Sequence, residues 1–134
     1  MKITRSSALG TKRGAAEYFT GAVWLEDVSG GVAAKLRTFR VSFEPGARTA
    51  WHTHPHGQLL SIVSGVARVQ KVGEPVVELF PGDSVWFEPG ERHWHGAAPD
   101  RPMVHLAVQQ TDDAGNSATW LEQVSDADYR GETN

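Results

Sequence analysis

The sequence predicts an all-β fold, a sandwich or barrel of short strands, with one short helix near the C-terminus. Short runs rich in β-branched and aromatic residues alternate with turn residues along most of the chain. Fourteen Gly and seven Pro are spread over the 134 residues instead of clustered, which indicates frequent turns. The clearest helix signal is Ser125, a candidate N-cap that is followed by Asp128 three residues later. Strand signals therefore dominate the chain.

The predicted strands follow one another between turn residues. Residues 37–43 alternate polar and apolar side chains and stop at Glu44-Pro45-Gly46. Further strands are predicted at residues 59–63, 66–70, 76–80, 84–87 and 103–108. Because residues 66–70 and 76–80 flank a turn at Gly73, we expect these two strands to form a hairpin.

Length and charge limit the kind of protein that the chain encodes. A chain of 134 residues fits one domain, predicted to span residues 1–134. A net charge of −3 offers no basic surface for nucleic acid. No apolar run approaches the roughly 18 residues that cross a bilayer, so no membrane partner is expected. The absence of Cys excludes disulfides and thiolate ligands, and the N-terminus lacks the apolar region of a secretory signal, so a cytoplasmic location is expected.

Five of the six histidines fall in two tight groups, at residues 52–58 and 93–95. Along a strand, residues two apart point to the same face, so His52 and His54 can both face a barrel interior. Gln58 has the same parity, and its amide oxygen could join them. Surface histidines are the alternative interpretation, but two His-x-His pairs make chance a poor explanation. The pattern favours a metal site.

His105 lies on the strand that is predicted to follow the second histidine group. One face of this strand carries small or polar side chains, those of His105, Ala107 and Gln109. The other face carries three aliphatic side chains, those of Val104, Leu106 and Val108. If the first face points inward, His105 is an imidazole suited to proton transfer; a hydrogen-bonded structural role is equally consistent. The aliphatic face exceeds what one small barrel buries, which predicts a homodimer or a higher homo-oligomer.

The remaining residues near the histidines have less specific expectations. His56 lies in a turn and is expected at the mouth of the pocket or on the surface. His95 shares the parity of His93 and is expected to support a ligand or to face the pocket. Trp51 and Trp94 have the opposite parity to their histidine neighbours, which indicates that they pack in the core.

The spacing of these residues resembles the two sequence motifs of the cupin family. In the first motif, Gly is followed by five residues, His-x-His, three or four residues, Glu, six residues and Gly; residues 46–65 match it, with Gln58 in the place of Glu. Residues 82–97 match the second motif, in which Glu88 replaces a Pro and Ala97 replaces an Asn. The resemblance implies a cupin jelly-roll β-barrel with a single divalent metal. The ligands that it implies are His52, His54, Gln58 and His93.

The replacement of Glu by Gln58 changes the charge of the implied site. Three neutral imidazoles and an amide leave the ion with its full charge of about +2, which strengthens it as a Lewis acid. Oxidation to the +3 state becomes harder, which argues against redox oxygen chemistry. Imidazole and amide ligands suit Mn, Fe, Ni or Zn. The alternative is that Gln58 is a tolerated variant without consequence.

A closer resemblance extends over nearly the whole chain. Residues 43–55, 86–99 and 105–107, together with 18–21 and 129–130, look like the small bacterial cupins with manganese-dependent hydroxynitrile lyase activity. This resemblance implies a cyanohydrin as a small-molecule substrate, cleaved reversibly to HCN and an aldehyde or ketone. It also implies Mn as the metal and His105 as the general base. A cupin dioxygenase and a metal-binding cupin that binds a small molecule without catalysis are the alternatives.

Overall fold

The computed structural model describes residues 1–30 and 34–132, and these residues form a barrel of two facing β-sheets. The strands are β1 (Lys12–Arg13), β2 (Phe19–Thr20), β3 (Val23–Asp27), β4 (Leu36–Phe43), β5 (Arg48–Thr49), β6 (His52–Thr53), β7 (Gln58–Gly65), β8 (Ala67–Lys71), β9 (Val77–Leu79), β10 (Ser84–Phe87), β11 (His93–Ala97), β12 (Met103–Gln110) and β13 (Thr119–Trp120). A 3₁₀ turn (Ser6–Ala8) precedes them, and the helix α1 (Asp126–Arg130) follows. The predicted all-β jelly-roll class with a short C-terminal helix is confirmed.

The two sheets are built from antiparallel pairs. The first sheet has the strand order β1-β3-β4-β12-β7-β10. The second runs β13-β6-β11-β5-β2, and β8 pairs with both β11 and β9. The predicted hairpin around Gly73 is the β8–β9 pair, in which Ala67 lies opposite Leu79. Gly73 has a φ of +81°, a backbone conformation that costs glycine little.

The predicted strands are observed with small changes at their ends. The strand at 84–87 has its predicted bounds, and the strand at 103–108 continues to residue 110. The single domain predicted for residues 1–134 includes 31–33 and 133–134, which lie outside the described residues, and it stays a prediction. None of the described helices is long and apolar enough to cross a bilayer.

Apolar side chains fill the space between the sheets and anchor the C-terminal segment. The largest core cluster includes Phe43, Ile62 and Met103, which come from β4, β7 and β12. A second cluster packs the C-terminal segment against the strands of the histidine groups; its members are Trp51, Trp94, Val124 and Tyr129. Trp51 and Trp94 are therefore packing residues, as predicted.

The C-terminal helix begins where the sequence predicts it. The Ser125 hydroxyl accepts a hydrogen bond from the backbone N–H of Asp128 at 3.0 Å. The Tyr129 hydroxyl donates a hydrogen bond to the carbonyl oxygen of Ala97 at 2.5 Å, at the end of β11. The helix is thereby fixed to the strand that carries His93 and His95.

Candidate metal centre

Strand pairing brings the two histidine groups together. His52 begins β6 and His93 begins β11, and the two residues lie opposite each other in the second sheet. Their ring centroids are 4.3 Å apart. Gln58 begins β7 in the first sheet and lies opposite Phe87. The Phe87 ring stacks on the His93 imidazole with a ring-centroid distance of 3.7 Å. Both sheets thus contribute side chains to one end of the barrel.

The imidazoles of His52, His54 and His93 share one arrangement, in which Nδ1 lies against a backbone carbonyl oxygen. The carbonyls, in the same order, are those of Ala50 at 2.9 Å, Ser117 at 2.6 Å and Glu91 at 2.9 Å. Because a carbonyl oxygen only accepts hydrogen bonds, Nδ1 carries the proton in each neutral ring. Nε2 then keeps its lone pair, as in histidines that bind a metal through this atom.

The Gln58 amide oxygen completes this arrangement. It lies 3.1 Å from Nε2 of His93, which carries no proton in the tautomer just described. Two lone pairs facing each other at this distance are unfavourable unless a cation lies between them. Adjacent ligands at about 2.1 Å from one first-row ion are themselves about 3 Å apart. The observed separation therefore fits a shared divalent cation.

The imidazole of His54 is a second indication of a metal site. Its Nε2 is buried and has no hydrogen-bond partner among residues 1–30 and 34–132. A buried nitrogen without a partner costs free energy, on the order of 1–3 kcal/mol, unless something satisfies it. A metal ion would do so, and the donor set of imidazoles and an amide suits Mn, Fe, Ni or Zn.

A different trio of histidines forms the most compact group of candidate ligands among the described residues. The nitrogens of His52, His93 and His95 lie within 4.8 Å of one another. By ring centroids, however, His54 is nearer to the other two, at 5.0 Å from His52 and 5.4 Å from His93. The corresponding distances of His95 are 5.2 and 5.9 Å. The predicted set, with His54 as the third imidazole, stays a prediction.

His95 and His105 form a hydrogen-bonded pair beside the candidate ligands. Nε2 of His105 is 3.1 Å from Nδ1 of His95. The other nitrogen of each ring is buried and has no hydrogen-bond partner within the described part of the chain. Burial alternates along β12 with His105 and Ala107 inside, so the face that carries His105 is the inward one. His105 thus faces the barrel interior.

Burial keeps these imidazoles neutral. It is the largest cause that lowers the pKa of His93 to about 3 and that of His105 to about 4. Burial, followed by the charge of His93, lowers the pKa of His52 well below its usual value. Burial also lowers the pKa of His54 and, strongly, that of His95. At neutral pH all five rings are therefore neutral: His52, His54 and His93 keep a lone pair at Nε2, and one of the two outer nitrogens of the His95–His105 pair keeps one.

Three of the candidate ligands, His52, His54 and Gln58, line a cavity of about 190 Å³ inside the barrel. Its polar lining residues are His52, His54, Gln58, His95, His105 and Gln109. Its apolar lining residues include Phe19, Leu25, Phe39, Val41 and Trp120. A small molecule with a polar end and an apolar end fits such a cavity.

His56 is exposed in the turn before β7, as predicted for a surface residue.

Trp120 and Ser117 are among the residues of the site that were not predicted from the sequence. Trp120 lies against His52 with a ring-centroid distance of 4.6 Å. Ser117 gives its carbonyl oxygen to His54. Both residues lie beyond the two motifs, and neither belongs to a periodic run that would place it in the cavity.

Known proteins resemble this chain in sequence and in fold. The cupin domain family (Cupin_2) matches residues 39–109, which include both motifs. The chain is 47% identical over 131 residues to an (R)-mandelonitrile lyase of Granulicella tundricola, which covers 97% of this chain and 99% of that protein. It is 39% identical to a cupin-like protein of Thermotoga maritima, with a TM-score of 0.81 over 88% of this chain and 90% of the other.

A further solved structure supports the fold alone. A cupin 2 conserved barrel domain protein of Rhodopseudomonas palustris is 19% identical, with a TM-score of 0.69 over 93% of this chain and 83% of the other. The barrel fold, the two sequence motifs and the relative that matches nearly the whole chain all indicate the same family. The chain belongs to the cupin family.

Proposed function

We propose that the protein is a metal-dependent hydroxynitrile lyase, which cleaves a cyanohydrin reversibly to HCN and an aldehyde or ketone. The observation that carries the proposal is the position of His105, a buried imidazole outside the predicted ligand set that lines the same cavity as His52, His54 and Gln58. The 47% identity to an (R)-mandelonitrile lyase over nearly the whole chain supports the same activity.

We infer that His52, His54, Gln58 and His93 hold one divalent ion, with Mn as the first candidate and Fe, Ni and Zn as alternatives. When bound, such an ion supplies Lewis acidity toward a hydroxyl or carbonyl oxygen. Gln58 adds no negative charge, so these residues leave the charge of the ion undiminished. This favours polarisation of the substrate oxygen over redox chemistry.

The protein side chains bind the substrate and move its proton. The aromatic rings of Phe19, Phe39 and Trp120 take up the apolar part of the cyanohydrin and keep water out. His105 accepts the hydroxyl proton at Nδ1, while its Nε2 stays against His95. The bond between the carbinol carbon and the nitrile breaks, and its electron pair leaves with cyanide. His105 then gives the proton to cyanide, which departs as HCN.

Cleavage of mandelonitrile by metal-loaded and chelator-treated protein tests the proposed function. We expect benzaldehyde and cyanide to form in equal amounts, the activity to vanish on chelation and to return with Mn²⁺. Loading with Zn²⁺ serves as a control for the choice of metal. No benzaldehyde from fully metallated protein would contradict the proposal, and oxygen uptake by an iron-loaded sample would favour the dioxygenase instead.

We also propose a homodimer or higher homo-oligomer that buries the outer face of the first sheet. Leu59, Val63 and Trp86 on this face are 39%, 50% and 49% exposed. Trp86 lies opposite Leu59, and Leu59 lies opposite Val108, so the apolar side chains form a continuous row across three strands. Such a row on a soluble chain marks a protein contact. A cytoplasmic location stays a prediction beside it.

The oligomer is tested by light scattering at micromolar concentration. We expect about twice the chain mass or more for the unchanged protein, because two-fold assembly is the commonest way to bury such a face. Leu59→Glu combined with Trp86→Glu should give a monomer. Val77→Glu is the control, since Val77 is 50% exposed on the other sheet and should leave the mass unchanged. A monomeric mass of the unchanged protein would rule the assembly out.

A further inference from the structure

The orientation of the Gln58 side-chain amide is determined by a single contact on the side away from the histidines. Its Nε2 donates a hydrogen bond to Oε1 of Gln109 at 2.8 Å. Its Oε1 faces Nε2 of His93 at 3.1 Å. Gln58 and Gln109 lie directly opposite each other on β7 and β12, and Gln58 is 3% exposed. Water therefore has little access to either end of the amide.

We propose that Gln109 is a positioning residue that keeps the oxygen of Gln58, and not its NH₂ group, directed at the metal. This inference rests on the metal site described under the proposed function. The two ends of a carboxamide have nearly the same size, so packing alone does not select one. Only the oxygen has lone pairs for a cation. The acceptor on Gln109 makes the productive orientation the one in which both ends of Gln58 are satisfied.

Gln109 in turn contacts Ser117. Its Nε2 donates to the Ser117 hydroxyl oxygen across 3.5 Å, a long contact that leaves Oε1 for Gln58. The carbonyl oxygen of the same Ser117 accepts the Nδ1–H of His54 at 2.6 Å. One residue outside both motifs thus contacts His54 directly and reaches Gln58 through Gln109.

This arrangement favours an amide over a carboxylate at position 58. A Glu side chain there would place a second acceptor oxygen against Oε1 of Gln109. Gln109 would have to turn its own amide by half a rotation in order to donate, and the Ser117 hydroxyl would have to change from acceptor to donor toward it. The charge of the metal site and the identity of residue 109 are therefore linked.

The dissociation constant of Mn²⁺, measured by competition with a chelator, tests the inference without reference to catalysis. Gln109→Leu removes the acceptor and should weaken Mn²⁺ binding about 10–100-fold, the usual effect of losing a partner of a ligand. Gln109→Glu keeps an acceptor of the same length and should bind Mn²⁺ at least as tightly as the unchanged protein. Melting of the metal-free variants checks that each one folds.

A double-mutant cycle with Gln58→Leu separates positioning from general effects. In the Gln58→Leu background, Gln109→Leu should weaken Mn²⁺ binding no further, and Gln109→Glu there measures the effect of the added charge alone. Equal weakening by Gln109→Leu in both backgrounds, or none in either, overturns the inference. Unchanged Mn²⁺ affinity in Gln58→Leu alone overturns both the ligand assignment and the inference. If the double-mutant cycle gives the expected Mn²⁺ affinities but the protein cleaves no cyanohydrin, the inference is supported and only the proposed reaction is contradicted.

Discussion

Replacing His105 by alanine lowers cyanohydrin cleavage by about 10²–10⁴-fold and leaves the metal content unchanged, if His105 is the general base. The ring is fully buried in β12 and faces the cavity, and burial lowers its pKa to about 4, so it is neutral and able to accept a proton at neutral pH. Its contact with His95 at 3.1 Å holds the ring in place. Turnover, metal stoichiometry and melting temperature are measured on the same preparation.

Two further variants make this result specific. His105→Gln fills more of the space and keeps a hydrogen-bonding group toward His95, yet it cannot serve as a base, so its cleavage rate should fall as far as that of the alanine variant. His56→Ala is the control, because His56 is exposed and lies outside the site. Near-normal cleavage by a fully metallated His105→Ala protein would remove His105 from the mechanism and make His95 the next candidate base.

Replacing His54 by alanine should weaken Mn²⁺ binding by more than about 100-fold. The loss of a residue that only supports a ligand usually weakens metal binding by about 10–100-fold. His95→Ala, the matched variant, should weaken Mn²⁺ binding by no more than that. The expectation follows from the Ser117 carbonyl, which sets the His54 tautomer, and from the unpartnered Nε2 of His54 within the described residues. Nε2 of His95 is likewise unpartnered within the described residues, but its Nδ1 lies against the imidazole of His105, which can donate or accept and so does not set the tautomer of His95.

Both variants are compared by Mn²⁺ titration and by melting of the metal-free proteins. The opposite order of effects, with His95→Ala the more damaging, would make His52, His93 and His95 the ligands. That trio is the compact group in the structure, so the experiment decides between two sets that share His52 and His93.

The long strands and the histidine groups could be predicted because each carries a local pattern. The alternation of residues 103–108 predicts which side chains of β12 share a face, and burial follows that alternation. The i, i+2 spacing of His52 and His54 likewise predicts a shared face, and both side chains line the cavity. Such patterns depend only on the strand period and need no knowledge of the partner strand.

The features that could not be predicted from the sequence depend on contacts between distant segments. β13 and β6 have two residues each, which is too short for any periodicity, and they exist because they pair with each other. Trp120 reaches His52 through this pairing. The direction of the Gln58 amide depends on Gln109, which the sequence places on an inward face without naming its partner. Packing in three dimensions supplies this information.

The large sequence separations within the site have a consequence for how the chain folds. Gln58 and Gln109 are 51 residues apart, and His54 and Ser117 are 63 apart. Closing loops of this length costs conformational entropy before the contacts form. These contacts are therefore expected late in the folding reaction. An ion that binds only the completed site cannot then act as a nucleus. Metal should instead slow the unfolding of the barrel, and change its folding rate little.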